Sequence, residues 1–287
     1  CLGSYSVRSA AVDELRAGCD QRYATRRCLQ LHYYGRRLRH AGITRTYWIH
    51  VPDGYAPGVA TPLVLDFHGW SSYGSQQRVL SGYWQLADEE SFIVVHPDGY
   101  ENSWNAGFCC ADPEDEEILD LDFVRTLVDQ VAGDLNVDPS RIYATGLSQG
   151  GTMSNYLACE ASDLFAAVAP VASGMDTDNC VPENKVPVHV SAGFTDVLVP
   201  YEWGEISAAF WREFNECEGE EPDEVVEVGE GRCETYNQCA GHGEVTFCSV
   251  IGLEFTDPSN SWFSGHILYL NDDFDLAREG WDFISRF

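Results

Sequence analysis

Between Arg141 and Leu157 the chain reads Arg-Ile-Tyr-Ala-Thr-Gly-Leu-Ser-Gln-Gly-Gly-Thr-Met-Ser-Asn-Tyr-Leu, and few backbones accommodate such a stretch. The run Ile142 to Thr145 predicts a short strand, the residues from Gln149 onward carry helical spacing, and only a Gly-x-Ser-x-Gly corner joins them. A strand that turns into a helix this sharply needs Gly146 and Gly150, because they carry no Cβ and let the two elements pack closely. Ser148 then sits in a strained, exposed turn with the helix N–H groups aimed at it, which makes it the candidate nucleophile.

The pattern around this corner is that of alternating strands and helices. Strands are predicted at Thr44 to Val51, Leu63 to Phe67, Phe92 to His96, Ile142 to Thr145, Ala166 to Val171, Val188 to Ala192 and Val245 to Gly252, each short, apolar and bounded by Gly, Pro, Asp or Asn. The clearest helix runs from Ile118 to Leu135, with apolar residues at intervals of three and four and Asp120 and Asp122 near its positive end. Others are predicted at Gln76 to Glu89, Gln149 to Ala161, Glu205 to Phe214 and Phe274 to Ser285, the last with Asn271 and Asp272 as capping candidates. This order implies an α/β protein with a mostly parallel sheet covered by helices on both faces. Residues 44–287 form its body as one domain, and residues 1–43, which hold half of the chain's arginines, form an N-terminal arm laid on an acidic surface. The acidic stretch Glu216 to Glu230 is expected to be a surface excursion.

Parallel sheets place their sites at the carboxyl ends of the strands, so each candidate is judged by where it falls. Asp196 follows the strand Val188 to Ala192 and is the candidate acid, with Asp176 and Asp178 after the preceding strand as alternatives. Of the two histidines beyond Asp196, His242 precedes the strand Val245 to Gly252 and His266 follows it, so His266 is the candidate base. The order Ser148, Asp196, His266 is that of α/β-hydrolases. His68-Gly69-Trp70 follows the strand Leu63 to Phe67, where one backbone donor to an oxyanion belongs, so Trp70 and Gln149 are the expected oxyanion donors. His68 is expected to be a structural turn residue.

Composition narrows the partners. A formal net charge of −29, from 46 acidic against 17 basic residues, opposes binding to nucleic acid or anionic lipid. No apolar run is long enough to cross a membrane. Eleven cysteines clustered in polar connections predict disulfides and an oxidising, extracellular address, with at least one thiol left over and Cys1 the first suspect. No secretory leader is legible, as expected of a mature form. Cys217, Cys233, Cys239 and Cys248 are spaced to make two bridges, and Cys109, Cys110, Cys159 and Cys180 two more, with the connectivity left open. No metal-ligand spacing is present, and the chemistry calls for no cofactor.

Several motifs together resemble one family. His68-Gly69-Trp70, His96-Pro97-Asp98-Gly99, Ser103-Trp104-Asn105-Ala106-Gly107-Phe108-Cys109-Cys110, Gly146-Leu147-Ser148-Gln149-Gly150-Gly151, Leu157-Ala158-Cys159-Glu160, Leu164 to Val171 and Gly265-His266 are similar to the secreted polyhydroxybutyrate depolymerase and feruloyl esterase family of α/β-hydrolases. The resemblance covers Thr44 to the C-terminus and implies a serine esterase that releases hydroxycinnamates from polysaccharide or depolymerises aliphatic polyesters. Many relatives carry Asn in place of Gln149 and follow the histidine with Trp-Pro-Gly, where this chain has Ile267, Leu268 and Tyr269.

The short interval between Val171 and Val188 leaves no room for a helical cap, so the site is expected to be open. Trp70, Trp104, Trp262 and Phe263 are the expected substrate-binding aromatics around it. An aryl ester on a neutral polysaccharide is the leading expectation for a monomeric enzyme with no partner but its substrate, and a polyester is the alternative. A peptidase with the same triad, and a catalytically silent carbohydrate-binding protein on the same fold, are the competing readings.

Overall fold

The computed structural model describes residues 33–108, 118–254 and 261–287, leaving the side chains of Tyr33 and Trp262 aside. Ten strands form one sheet: β1 (Tyr33–His40), β2 (Ile43–His50), β3 (Thr61–Phe67), β4 (Ile93–Pro97), β5 (Val137–Leu147), β6 (Ala167–Val171), β7 (Val188–Gly193), β8 (Glu224–Val228), β9 (Gly231–Tyr236) and β10 (Val245–Val250). Their order is β1-β2-β4-β3-β5-β6-β7-β10-β9-β8. The strands from β4 to β10 in that order are mutually parallel, and an antiparallel pair closes each end.

Among the described residues six α-helices cover it: α1 (Gly74–Ser81), α2 (Tyr83–Glu90), α3 (Asp120–Asp134), α4 (Gln149–Glu160), α5 (Tyr201–Phe214) and α6 (Leu276–Ile284). The central strands are apolar on both faces, as strands buried under helices on either side must be. Leu63, Leu65, Ile93 and Val95 pack with Phe123, Leu127, Met153, Leu157 and Trp211 of α3, α4 and α5 on one face. The alternate residues Val64 and Val94 pack with Tyr83, Leu86, Trp281 and Ile284 of α2 and α6 on the other.

The structure redraws some sequence boundaries. The arm expected to end at residue 43 contains β1, an edge strand that pairs with β2 through Ala41 and Gly42, both at positive φ as a two-residue hairpin requires. Residues 1–32 lie outside the described residues. The helix expected over Gln76 to Glu89 is two helices, broken at Gly82 with φ 73°. The cap of α6 is Asp275, which accepts the Arg278 N–H, while Asn271 accepts from the N–H groups of Asp273 and Phe274. The acidic stretch Glu216 to Glu230 includes β8, all five residues of which are exposed.

Candidate active site

β5 delivers Leu147 to the carboxyl edge of the sheet, and α4 starts two residues later. The intervening Ser148 has φ 59° and ψ −123°, a conformation a non-glycine residue adopts only when its surroundings impose it. Those surroundings are tight. A Cβ on Gly146 would lie 2.5 Å from the Phe67 carbonyl oxygen, and one on Gly150 only 2.0 Å from the same atom, while Ser148 N–H donates to Val171 O at 2.9 Å. The corner is therefore wedged between the ends of β3 and β6, and the Gln149 N–H lies in the first turn of α4, at its positive end.

The turn after β3 lies against the serine, since a Cβ on Gly69 would be 3.3 Å from Ser148 Cβ. A chain of buried polar contacts fixes this turn to α4. The Gln149 amide donates to Ser103 Oγ at 2.9 Å and to Trp104 O at 3.0 Å, and accepts from Trp104 N–H at 3.1 Å. The Trp104 indole donates to His68 O at 2.9 Å. Gly99 N–H donates to His68 Nε2 at 2.8 Å, which leaves Nδ1 as the protonated nitrogen facing Gly69 O at 2.8 Å. Burial pushes the His68 imidazole down to about 4, with the Gly69 carbonyl opposing and Arg45 assisting, so it is neutral at pH 7. Further back, Arg45 donates to Asp120 at 2.7 Å inside the protein, and the second Asp120 oxygen accepts Asn105 N–H at 2.7 Å.

On the other side of Ser148, β7 and β10 end beside one another, and the loop carrying His266 crosses both ends. A Cβ on Gly252 would lie 2.2 Å from Gly265 O, and one on Gly265, at φ 75°, would lie 2.2 Å from Thr195 O. These contacts bring His266 Nδ1 within 2.7 Å of Asp196 Oδ2. The other Asp196 oxygen accepts the N–H groups of Leu198 and Val199 at 2.8 and 2.9 Å, so the carboxylate is oriented from both sides and its side chain is fully covered. With Nδ1–H held by the carboxylate, Nε2 is the free acceptor, the tautomer a general base needs.

An esterase family model matches residues 41–255. The chain belongs to the esterase family. A feruloyl esterase B of Piromyces equi is 28% identical over 263 residues, covering 83% of this chain and 44% of that protein. A poly(3-hydroxyalkanoate) depolymerase C of Paucimonas lemoignei is 29% identical over 177 residues, covering 58% of this chain and 39% of that protein. The chain thus spans less than half the length of each of these two relatives. An acetyl xylan esterase from Aspergillus awamori, 14% identical, superposes with a TM-score of 0.60 over 80% of this chain and 98% of that one. The fold is that of the α/β-hydrolases.

Within this esterase scaffold the sequence-predicted residues fall in different places. Ser148, Trp70 and Gln149 meet at one end of β3 and β5, and Asp196 and His266 meet at the ends of β7 and β10. Trp70 is 62% exposed, and half-buried Phe263 lies beside His266 with ring centroids 6.3 Å apart. Trp104 does not border the cleft. It is completely buried behind the His68 turn, where its indole and backbone serve as hydrogen-bond partners. Trp262's side chain lies outside the described residues. Asp176 caps its own turn, accepting from Asp178 N–H and Asn179, and His242 is exposed in the turn before β10.

Sequence reasoning misses the exposed Phe194, Val197 and Leu198, which flank Asp196, because apolar residues in a loop look like strand remnants. Three bridges are described: Cys159–Cys180, Cys217–Cys239 and Cys233–Cys248, the last between directly paired residues of β9 and β10. His189 reaches Cys248 Sγ at 3.3 Å, and both sulfurs of this trio are joined to each other in the disulfide. Cys1, Cys19, Cys28, Cys109 and Cys110 lie outside the described residues.

Proposed function

We propose that this protein is an extracellular serine carboxylic-ester hydrolase that uses Ser148, His266 and Asp196. The observation that carries the reading is the His266 Nδ1 to Asp196 Oδ2 contact of 2.7 Å, set in loops that flank a serine at a strained corner. Ser148 Oγ attacks the ester carbonyl while His266 Nε2 takes its proton, and Asp196 holds the imidazolium that forms. The N–H groups of Trp70 and Gln149 receive the negative charge on the carbonyl oxygen. His266 then returns the proton to the leaving alcohol, and water repeats the sequence to release the acid. The disulfides support the extracellular address.

For the substrate we favour an aryl ester of the feruloyl type on a neutral polysaccharide. Exposed Trp70, and Phe263 beside His266, suit a flat acyl group, and the charge of −29 disfavours polyanionic carriers. The second reading, a polyester depolymerase, is favoured by the exposed Trp70, Phe194, Val197 and Leu198, which would seat on an apolar polymer.

Ser148→Ala is expected to lower hydrolysis of a short p-nitrophenyl ester by roughly 10⁴-fold or more and to abolish fluorophosphonate labelling. A variant with near wild-type turnover removes the assignment, and an unlabelled wild-type serine favours the catalytically silent binding protein. Methyl ferulate against polyhydroxybutyrate film ranks the two esterase readings: clearing of the film without release of ferulate reverses their order.

A further inference from the structure

Away from the catalytic corner, a cavity of about 340 Å³ lies between α4, the chain at Ala106 and Gly107, and the loop after β6. Thr152, Tyr156 and Glu160, which line it, follow Ser148 at four-residue steps on α4. At about 1.5 Å of rise per residue the cavity therefore extends from roughly 6 to 18 Å from Ser148 along the helix. That is too far for the acyl carbon, and within reach of the carrier of the ester.

The lining selects among carriers. Buried Met175 and the half-buried ring of Tyr156 give it an apolar wall, and Glu160 and Asn179 give it polar edges with acceptors, Asp176 being engaged by its own turn. Ionised carboxylates only accept hydrogen bonds. A ligand made of C–H faces and hydroxyl donors answers both features, whereas a polyester chain brings C–H faces and acceptors but no donors along its length. The Tyr156 phenol is pushed up by burial, with Glu160 adding to the effect, so it remains a donor at neutral pH. A divalent cation is a poor occupant: both Asp176 oxygens already accept from its own turn, and the one three-ligand cluster among the described residues is at His189, Cys233 and Cys248. The two walls are also fastened together, since Cys159 of α4 is bonded to Cys180 of the opposing loop. A preformed cavity loses less ordering entropy when it binds.

We propose that this cavity is a subsite for a neutral sugar residue of the carrier that bears the scissile ester. The proposal rests on the reading of the substrate as a sugar-linked ester, and it adds the place where the sugar is recognised. It predicts that specificity for the carrier is set by Tyr156 and Glu160, neither of which touches the reacting atoms.

The test has two independent arms. In the first, the silenced but intact Ser148→Ala protein is titrated calorimetrically with an ester-free neutral oligosaccharide, xylotetraose. Saturable binding that weakens at least tenfold when Glu160→Ala or Tyr156→Leu is added, and that survives raised salt, is the expected result. No saturable binding, binding indifferent to both substitutions, or binding lost on adding salt as for a cationic ligand, overturns the proposal. In the second arm, Glu160→Ala and Tyr156→Leu on the active protein are expected to lower kcat/KM for a feruloylated oligosaccharide about tenfold and leave methyl ferulate unchanged. Equal changes on both esters, or none on either, overturn it. If the protein releases no ferulate from either ester while the oligosaccharide binds as expected, the feruloyl reading fails and the sugar subsite stands.

Discussion

The serine side of the site is built on regular secondary structure and tied by buried side chains, whereas the Asp196 and His266 side is built in loops and tied mainly by backbone. On the first side Gln149, Trp104 and His68 form a relay of hydrogen bonds from α4 to the turn after β3. On the second, Gly265 N–H donates to Leu253 O, Val197 N–H to Ser264 O and Leu253 N–H to Ile267 O, and Gly252 and Gly265 stand at close approaches between the loops. The Cys233–Cys248 bridge fixes β10, the strand that leads into this side, to its neighbour β9. The difference teaches where each side is vulnerable: both to a Cβ added at their glycines, and the serine side also to loss of a polar side chain.

The largest effect is expected on the loop side. Gly265→Ala places a methyl where Thr195 O lies 2.2 Å away and asks a non-glycine residue to hold φ 75°, so the His266 loop must lift from β7. A displacement of about 1 Å at a catalytic group can cost 10²-fold, and a loss of kcat of about that size is expected with the fold retained by circular dichroism. Unchanged turnover would mean that the close glycine contacts do not position His266.

A smaller effect is expected on the serine side. Gln149→Leu keeps the bulk of the side chain but leaves the buried N–H and C=O of Trp104 without these partners, an effect of about 1–3 kcal/mol. Because the backbone N–H of residue 149 is retained, kcat is expected to fall about tenfold with KM little changed. A fall in thermal stability with no change in kcat would reduce the relay to a scaffold and remove the distinction between the two sides.

The same contrast explains what the sequence discloses. The serine corner is local: a strand, two glycines and a helix within one short stretch can be read directly, and Ser148 with Gln149 follows. Asp196 and His266 have no such signature, and only the strand ends after which they fall point to them. Two features escape for physical reasons. β1 has arginines at exposed and half-buried positions alike, and β8 has Val225, Val226 and Val228 exposed among acidic residues, so neither has a buried apolar face to mark it, although hydrogen bonding places both in the sheet. Trp104 is in a polar connection that composition assigns to the cleft, but its indole finds its acceptor, His68 O, inside the protein, and the whole side chain follows it there. Exposure of a loop aromatic depends on partners that are distant in sequence, and a single chain read locally does not name them.

The smallest effect on turnover separates two of the buried imidazoles. His68, on the serine side, and His189, which faces Cys248 below the loop side, are both pushed down from 6.5 to about 4 by burial. Each stays neutral in the folded protein while the unfolded chain takes up a proton near pH 6.5, so stability is full above that pH and falls as pH drops toward 4. Each accounts for at most about 3 kcal/mol of that loss. His189→Leu is therefore expected to reduce the stability lost between pH 7 and pH 4.5 by about 2 kcal/mol in urea titrations, and to leave turnover at pH 7 unchanged. His68→Leu is expected to reduce the acid loss similarly while lowering turnover, because it also removes the acceptor for Gly99 N–H and the Nδ1 contact to Gly69 O. Equal turnover in the two variants would show that the His68 relay does not reach the proposed oxyanion turn, and an undiminished acid loss in both would mean that neither imidazole is held neutral by the fold.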